Sequence, residues 1–408
     1  MQNKRVPEIR FTGCSDDWKS EKLGRLANFS KGMGYSKNDL LSEGTPIILY
    51  GRLYTKYETI IDNVDTYTLM HDKSVLSEGN EIIVPASGES AEEISRASVI
   101  VNNGIILGGD LNIIKPNREV DSLFLALSIT YGKPHKQLSS RAQGKSIVHL
   151  RNSDLQEIDL FYPQKDEQKK IGDFINAIEK RIILNQNELD CLKQMKQGFF
   201  QKMFPKEGEV VPELRFPGFT DDWEPNLLSN IANIVGGGTP STDKGEYWNG
   251  NIDWYSPTEI GKNRYAEGSV KQITELGLKQ SSAKILPADR TILFTSRAGI
   301  GDMAILKKDG ATNQGFQSII VNYEYDVYFI YSLKHKIKSY ALKNASGSTF
   351  LEISGKTLGK IILLFPSLEE QTMIGGFFRK IDTTILLHKQ ELELLKQTKK
   401  AFLQKMFI

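Results

Sequence analysis

"DEQKKIGDFINAIEKRIILNQNELDCLKQMKQGFFQKMF" spans residues 166–204 and returns as "EEQTMIGGFFRKIDTTILLHKQELELLKQTKKAFLQKMF" at residues 369–407, with about half of the paired positions identical. Apolar residues recur in both at alternating steps of four and three: Ile178, Ile182, Leu189, Leu192, Phe199 and Met203 in the first, and Ile381, Ile385, Leu392, Leu395, Phe402 and Met406 in the second. That spacing is a heptad seam. It is interrupted at matching steps by Asn185 and Lys196, and by His388 and Lys399. A polar residue in a seam costs stability but disfavours wrong registers, so these four are expected to set how the helices align. Each run follows a proline, Pro163 or Pro366, and carries Asp166, Glu167 or Glu369 where the helix dipole favours an acid. Ser367 and Glu370 have capping-box spacing. A run of about 40 residues is about 60 Å long, more than a small domain needs. The competing reading is two separate amphipathic helices, each packed on its own domain.

Outward from the helices the duplication continues. "VPEIRFTGCSDDW" at 6–18 is rewritten as "VPELRFPGFTDDW" at 211–223, an offset of roughly 205 residues. The stretch "PKEGEVVPE" before the second motif holds two prolines and a glycine, suited to a helix stop and re-entry. Between opening motif and helix the two copies diverge, and only signposts align: "AQGKSIVHL" at 142–150 with "ASGSTFLEI" at 345–353, "VPASGES" at 84–90 with "LFTSRAG" at 293–299, and "GGDLNII" at 108–114 with "NQGFQSII" at 313–320. One half of each repeat is held similar while the other has diverged, as if a common scaffold carried two different readers.

The diverged regions contain short β-type runs between turn residues, such as "TPIILYGRLYT" (45–55), "NEIIVPAS", "GIILGGDLNIIKP", "RTILFTSRAG" and "FQSIIVNYE". A basic-aromatic cluster (Tyr50, Arg52, Tyr54, Lys56, Tyr57) and a polar-aromatic one (Trp254, Tyr255, Ser256, Thr258) suit a DNA surface, because bases are told apart by hydrogen bonds and phosphates demand positive charge. Such alternation on a strand also arises when one face meets the core and the other meets solvent.

The chain has 408 residues, 39% hydrophobic and 25% charged, the mix of a globular protein of two to four domains. Its net charge of +2, from 52 basic and 50 acidic residues, leaves no global field for nucleic acid, so any basic surface must be local. Cys14 and Cys191 are the only cysteines, which fits a reducing, cytoplasmic setting, and neither a signal peptide nor a membrane span is indicated.

Several chemistries are excluded by spacing. "GKS" at Gly144–Ser146 and "GKT" at Gly355–Thr357 lack the glycine of a phosphate loop, since Ser139 and Phe350 stand there. "GGG" at 236–238 is not a dinucleotide fingerprint and reads as a flexible turn. The histidines have no metal-ligand spacing. Asp16, Asp17 and Asp221, Asp222 precede Trp18 and Trp223 and read as structural turns beside an anchoring indole.

On the order of regions and on "DDWEPNLLSNIANIVGGGTPST" (221–242), "YWNGNIDWYSPTEI" (247–260), "TNQGF" (312–316) and the "EEQTMIGGFFRKID" to "QKMF" tail, the chain resembles the specificity subunit of type I restriction-modification systems over nearly its whole length. The first copy departs from the pattern: "FSKGMGYSKND" stands where the second has "IVGGGTPSTDK", and Cys14 stands opposite Phe219. The resemblance implies an α+β protein with two globular target-recognition domains (1–160 and 205–363) and two long helices (161–204 and 364–408) pairing as an antiparallel coiled coil in a pseudo-twofold internal repeat. It implies a non-catalytic subunit that reads an asymmetric, bipartite sequence in double-stranded DNA, one half-site per domain. Two methyltransferase and two restriction subunits would be the partners, with S-adenosylmethionine, ATP and Mg on them, and with no metal and no cofactor in this chain. The alternative is an assembly adaptor that joins partners through its helices without reading sequence. Residue type and matching place in the two copies nominate Arg52, Tyr54, Lys56, Ser87, Lys145 and Ser146 as DNA-binding in the first domain. In the second they nominate Thr239, Ser256, Arg297, Asn313, Gln314, Ser348 and Thr349.

Overall fold

The computed structural model describes residues 6–91, 93–142, 148–347 and 351–408. They form two units: the described residues of Met1–Asn187 with Gln390–Ile408, and Glu188–Lys389.

In the first unit a five-stranded sheet runs in the order Ala27–Lys31, Leu111–Pro116, Glu81–Pro85, Ser98–Ile100, Ile60–Ile61, antiparallel except at the last, parallel edge. Its central strand is the apolar run "EIIVP", buried throughout because both faces of the sheet are covered. The pleat sends alternate side chains to opposite sides. Ile82, Val84, Val99 and Ile114 meet the helix Ser122–Tyr131 and the long helices, with Ile171, Ile175, Leu403 and Phe407 in the same core. Ile83, Ile100, Leu111 and Ile113 pack instead on Ile48, Leu53 and Leu107. Ile48 and Leu107 belong to a second sheet, ordered Tyr67–Thr68, Thr45–Ile48, Asn103–Leu107, Leu76–Glu78.

The second unit repeats the plan. Its five-stranded sheet is Ala232–Gly236, Gln317–Val321, Thr291–Phe294, Met303–Leu306, Tyr265–Ala266, again with only the last pair parallel. Ile292, Phe294, Ile305 and Ile319 face the helices, and Leu293, Ala304 and Leu306 face Tyr255 and Phe316. A three-stranded sheet, Lys271–Ile273, Trp248–Tyr255, Gly310–Thr312, covers that second face. Several backbone bonds recur at matching places. Leu23 N–H donates to Ile158 O as Leu228 N–H does to Ile361 O, both at 3.0 Å. Ala86 N–H bonds Asp110 O at 2.7 Å and Ser296 N–H bonds Gly315 O at 2.8 Å.

The opening motifs are clasps. Arg10 makes a two-pronged ion pair with Glu167 (2.8 and 2.6 Å), and Arg215 makes the same pair with Glu370 (2.9 and 2.6 Å). Ile9 N–H donates to Lys405 O, and Leu214 N–H to Lys202 O. Trp18 and Trp223 are buried beside exposed Asp16, Asp17, Asp221 and Asp222. The expected capping box at Ser367 is half made: its Oγ accepts from Glu370 N–H, but Arg215 takes the Glu370 carboxylate.

The long helices are Lys165–Met203 and Leu368–Met406. Every seam residue named from the sequence is buried or half-buried. In the first unit Phe174 packs edge-to-face on Phe402 (4.8 Å) and Lys399 pairs with Glu179 (2.7 Å). In the second, Phe199 packs the same way on Phe377 (5.0 Å) and Lys196 pairs with Asp382 (2.6 Å). Within each unit the two segments therefore run antiparallel, the earlier residue of one meeting the later residue of the other. Both lysine pairs are also tied to the sheet-bearing body of their unit, since Glu179 accepts from Thr59 Oγ1 and Asp382 from Tyr328 O–H, each at 2.8 Å. Asn185 is fully buried with no partner for its amide among the described residues, and His388 Nδ1 lies 3.7 Å from Glu188.

Candidate nucleic-acid interface

In the second unit the strands Ala232–Gly236, Trp248–Tyr255, Thr291–Phe294 and Gly310–Thr312 all end at one edge of the two sheets, as the registers Gly236 with Gln317, Tyr255 with Thr312 and Phe294 with Met303 require. The loops that follow converge there, and most of the polar residues nominated from the sequence lie on them. Thr239 is exposed and its hydroxyl meets Gln314 Oε1. Asn313 Oδ1 accepts from Gly315 N–H at 2.7 Å, which folds its own loop and leaves Gln314 at the crest. Ser256 caps a helical turn, its Oγ 2.7 Å from Glu259 and 3.1 Å from Thr258 Oγ1. Arg297 lies half-buried over Gly315, followed by Ala298 and Gly299 with φ of 51° and 110°.

The triple glycine is held rather than loose. A Cβ on Gly237 would stand 2.0 Å from Asn313 O and 2.4 Å from Thr312 O, so only glycine lets the two loops touch. Gly238 O accepts from the buried Trp254 indole at 2.8 Å. Trp254 and Tyr255 are thus core residues, and burial raises the Tyr255 phenol well above its ordinary pKa. The first unit has the same pinch: a Cβ on Gly32 would stand 1.9 Å from Gly108 O. Met33 N–H donates to Leu107 O as Gly238 N–H does to Thr312 O.

This shared frame fixes a residue-by-residue correspondence at the loop ends. Where the second unit has Thr239, Gln314 and Arg297, the first has Gly34, Gly109 and Ser87. Ser87, not the residue after it, takes the place of Arg297, because Leu150 N–H bonds Ala86 O as Ile353 N–H bonds Ser296 O. The sequence alignment of "VPASGES" with "LFTSRAG" is therefore one residue out of step.

The nominations in the first unit need correction. "TPIILYGRLYT" is a strand only over Thr45–Ile48, and Arg52–Thr55 is a helical turn. That turn points the Arg52 guanidinium inward, 8% exposed, onto Glu58 (2.8 Å), Asp65 and Asn63 O. Lys56 pairs with the same Asp65 at 2.8 Å, and with Arg52 holds its carboxyl far below the usual range. Ser87 is buried, its Oγ 3.1 Å from His149 Nδ1. Tyr54 O–H donates to Ser87 O, and burial pushes that phenol well up. Arg52 and Ser87 are framework, and Tyr54 is half so. Lys145, Ser146, Ser348 and Thr349 lie outside the described residues.

The sequence reading also passed over two helices. Lys133–Arg141 ("KPHKQLSSR") and Lys334–Asn344 ("KHKIKSYALKN") contain no acidic residue. Lys136, Arg141 and Lys343 are exposed. The second helix abuts the Arg297 loop: a Cβ on Gly301 would meet Lys338 Cγ at 2.5 Å, and Lys338 Nζ pairs with Asp302 at 2.7 Å. Burial, then the neighbouring Lys196, lowers the Lys334 pKa, and burial with Lys334 lowers that of His335. The absence of acids in both runs was the available signal.

Among the described residues no three His, Cys, Asp or Glu side chains are placed to hold a metal, and no helix is long and apolar enough to cross a membrane. What the fold and its loops define is a duplicated α+β module in which one scaffold presents two unlike loop sets. The model of the type I restriction modification DNA specificity domain matches residues 15–194 and again 220–397, and the chain belongs to this family. It is 38% identical over 191 residues to the MjaIX specificity subunit of Methanocaldococcus jannaschii, covering 46% of this chain and 44% of that one. It is 32% identical over 185 residues to the EcoR124I/EcoR124II specificity subunit of Escherichia coli, covering 44% and 42%. Each of these alignments thus spans less than half the relative's length. The MjaVIII specificity subunit aligns at 22% over 416 residues, 99% of this chain and 93% of the other. The crystal structure of a type I S subunit from M. genitalium superposes with a TM-score of 0.66 over 99% of both chains at 18% identity, a likeness of fold.

Proposed function

We propose that this chain reads a two-part, asymmetric sequence in double-stranded DNA, one part per unit, on behalf of a type I restriction-modification complex. The observation that carries the reading is the common backbone frame at the sheet ends, bearing Thr239, Gln314 and Arg297 in one unit and Gly34, Gly109 and Ser87 in the other. Identical readers would suit a palindrome, and unlike readers suit an unsymmetric target. A pure assembly protein would gain nothing from two loop sets on one frame. The chain itself acts as a non-catalytic subunit. It joins two methyltransferase subunits, which bring S-adenosylmethionine, and two restriction subunits, which bring ATP and Mg. The basic helix Lys334–Asn344, which abuts the Arg297 loop, supports the reading as a grip on phosphates. The test is to replace residues 224–345 by the matching region of a relative and map N6-methyladenine across the genome. One half of the methylated sequence changes and the other stays; a change in both halves, or in neither, refutes one reader per unit.

A further inference from the structure

An arginine kept half-buried without an acid is costly unless a ligand completes it. The other half-buried arginines of the described residues are all engaged. Arg10 meets Glu167, Arg52 meets Glu58 and Asp65, Arg96 meets Glu93, and Arg215 meets Glu370. Arg264 bonds the Tyr328 hydroxyl, and Arg290 the Val321 carbonyl. Arg297 alone makes no hydrogen bond or ion pair with a described residue. It is nevertheless positioned. Its backbone is fixed by Ser296 N–H on Gly315 O and by Ser296 O, which accepts from Ile353 N–H. Its side chain lies against the Asn313–Gly315 turn, where a Cβ on Gly315 would come 3.4 Å from Arg297 Nε and 2.8 Å from Pro257. The crest residue of that turn is Gln314, whose amide is braced by Thr239. A fork of N–H donors carried on a fixed backbone, beside other polar tips, matches the paired O6 and N7 acceptors of guanine, which one guanidinium satisfies together.

We propose that Arg297 is a specificity-determining residue that reads a guanine in the half of the target belonging to the second unit. The first unit has Ser87 in its place and reads its half by other groups. The proposal rests on the two-part reading above.

The test uses the gene in its own cell and the assembled complex in solution. The methylated motif of the unaltered protein contains a G·C pair in the second half, and Arg297→Ala makes that one position degenerate while the first half stays fixed. In duplex binding, 7-deazaguanine, which lacks N7, placed at that guanine weakens the unaltered complex about ten-fold and leaves the Arg297→Ala complex no weaker than with guanine. The measurement on the unaltered complex holds even where the variant is unstable. A two-part motif without G·C in its second half, equal losses in both complexes, or loosening spread evenly over both halves overturns the assignment. Absence of any two-part motif overturns the underlying reading instead.

Discussion

Gly32 and Gly237 carry the heaviest local constraint on the loops at the sheet ends. Alanine at either would force its Cβ to within about 2 Å of a carbonyl oxygen, and backbone must shift to relieve it. Gly237→Ala is expected to cost about 1–3 kcal/mol in urea unfolding and to weaken discrimination in the second half-site only, with Gly32→Ala acting on the first. Neither effect was legible beforehand: "GGG" reads as looseness in a sequence, and only the opposing loop turns it into a necessity. Arg52 shows the converse. A cation next to two tyrosines looked like a reader, but the carboxylates that claim it are Glu58 and Asp65, whose approach depends on a helical turn where a strand was expected. Thr239, Gln314 and Arg297 are nominated on side-chain type and on matching places in the two copies, and the fold sets them on converging loops.

The two long helices were the plainest part of the sequence, since a seam of period 3.5 survives any divergence of the surface. Their polar interruptions divide by chemistry. Lys196 and Lys399 each reach a partly buried acid on the opposite segment. Lys399→Met, which takes the cation from the partly buried Glu179, is expected to cost about 1–3 kcal/mol in thermal or urea unfolding. Lys193→Ala, which removes an exposed pair with Asp190, stays within about 0.5 kcal/mol. Seven residues inserted into each helix, after Asn187 and after Gln390, keep the seam in phase and add about 10 Å. If the helices act as the spacer, the unread gap in the methylated sequence widens by about three base pairs at ~3.4 Å each, and an unchanged gap excludes that role. The basic helices Lys133–Arg141 and Lys334–Asn344 stand out in the sequence by carrying lysines and arginine without an acid.

For the whole molecule the near-balance of 52 basic and 50 acidic residues conceals this segregation. Replacing Lys136, Arg141 and Lys343 by glutamine is expected to weaken DNA binding by the assembled complex on all sequences alike and to flatten its salt dependence, while the methylated motif stays the same. The duplication itself could be read from the sequence, but not how the copies close. The second unit is one continuous stretch, Glu188–Lys389, whose opening motif is clasped by the helix turn just before it, at Lys202. The first unit is discontinuous: Ile9 is held by Lys405, and Phe402, Leu403, Met406 and Phe407 complete a core that begins at Trp18. Order of synthesis is therefore inverted in order of completion. The unit translated later can close on its own residues as they leave the ribosome, whereas the earlier one must wait for the final turn of the second helix. A premature stop near residue 400 would injure the unit built mainly from residues before 188.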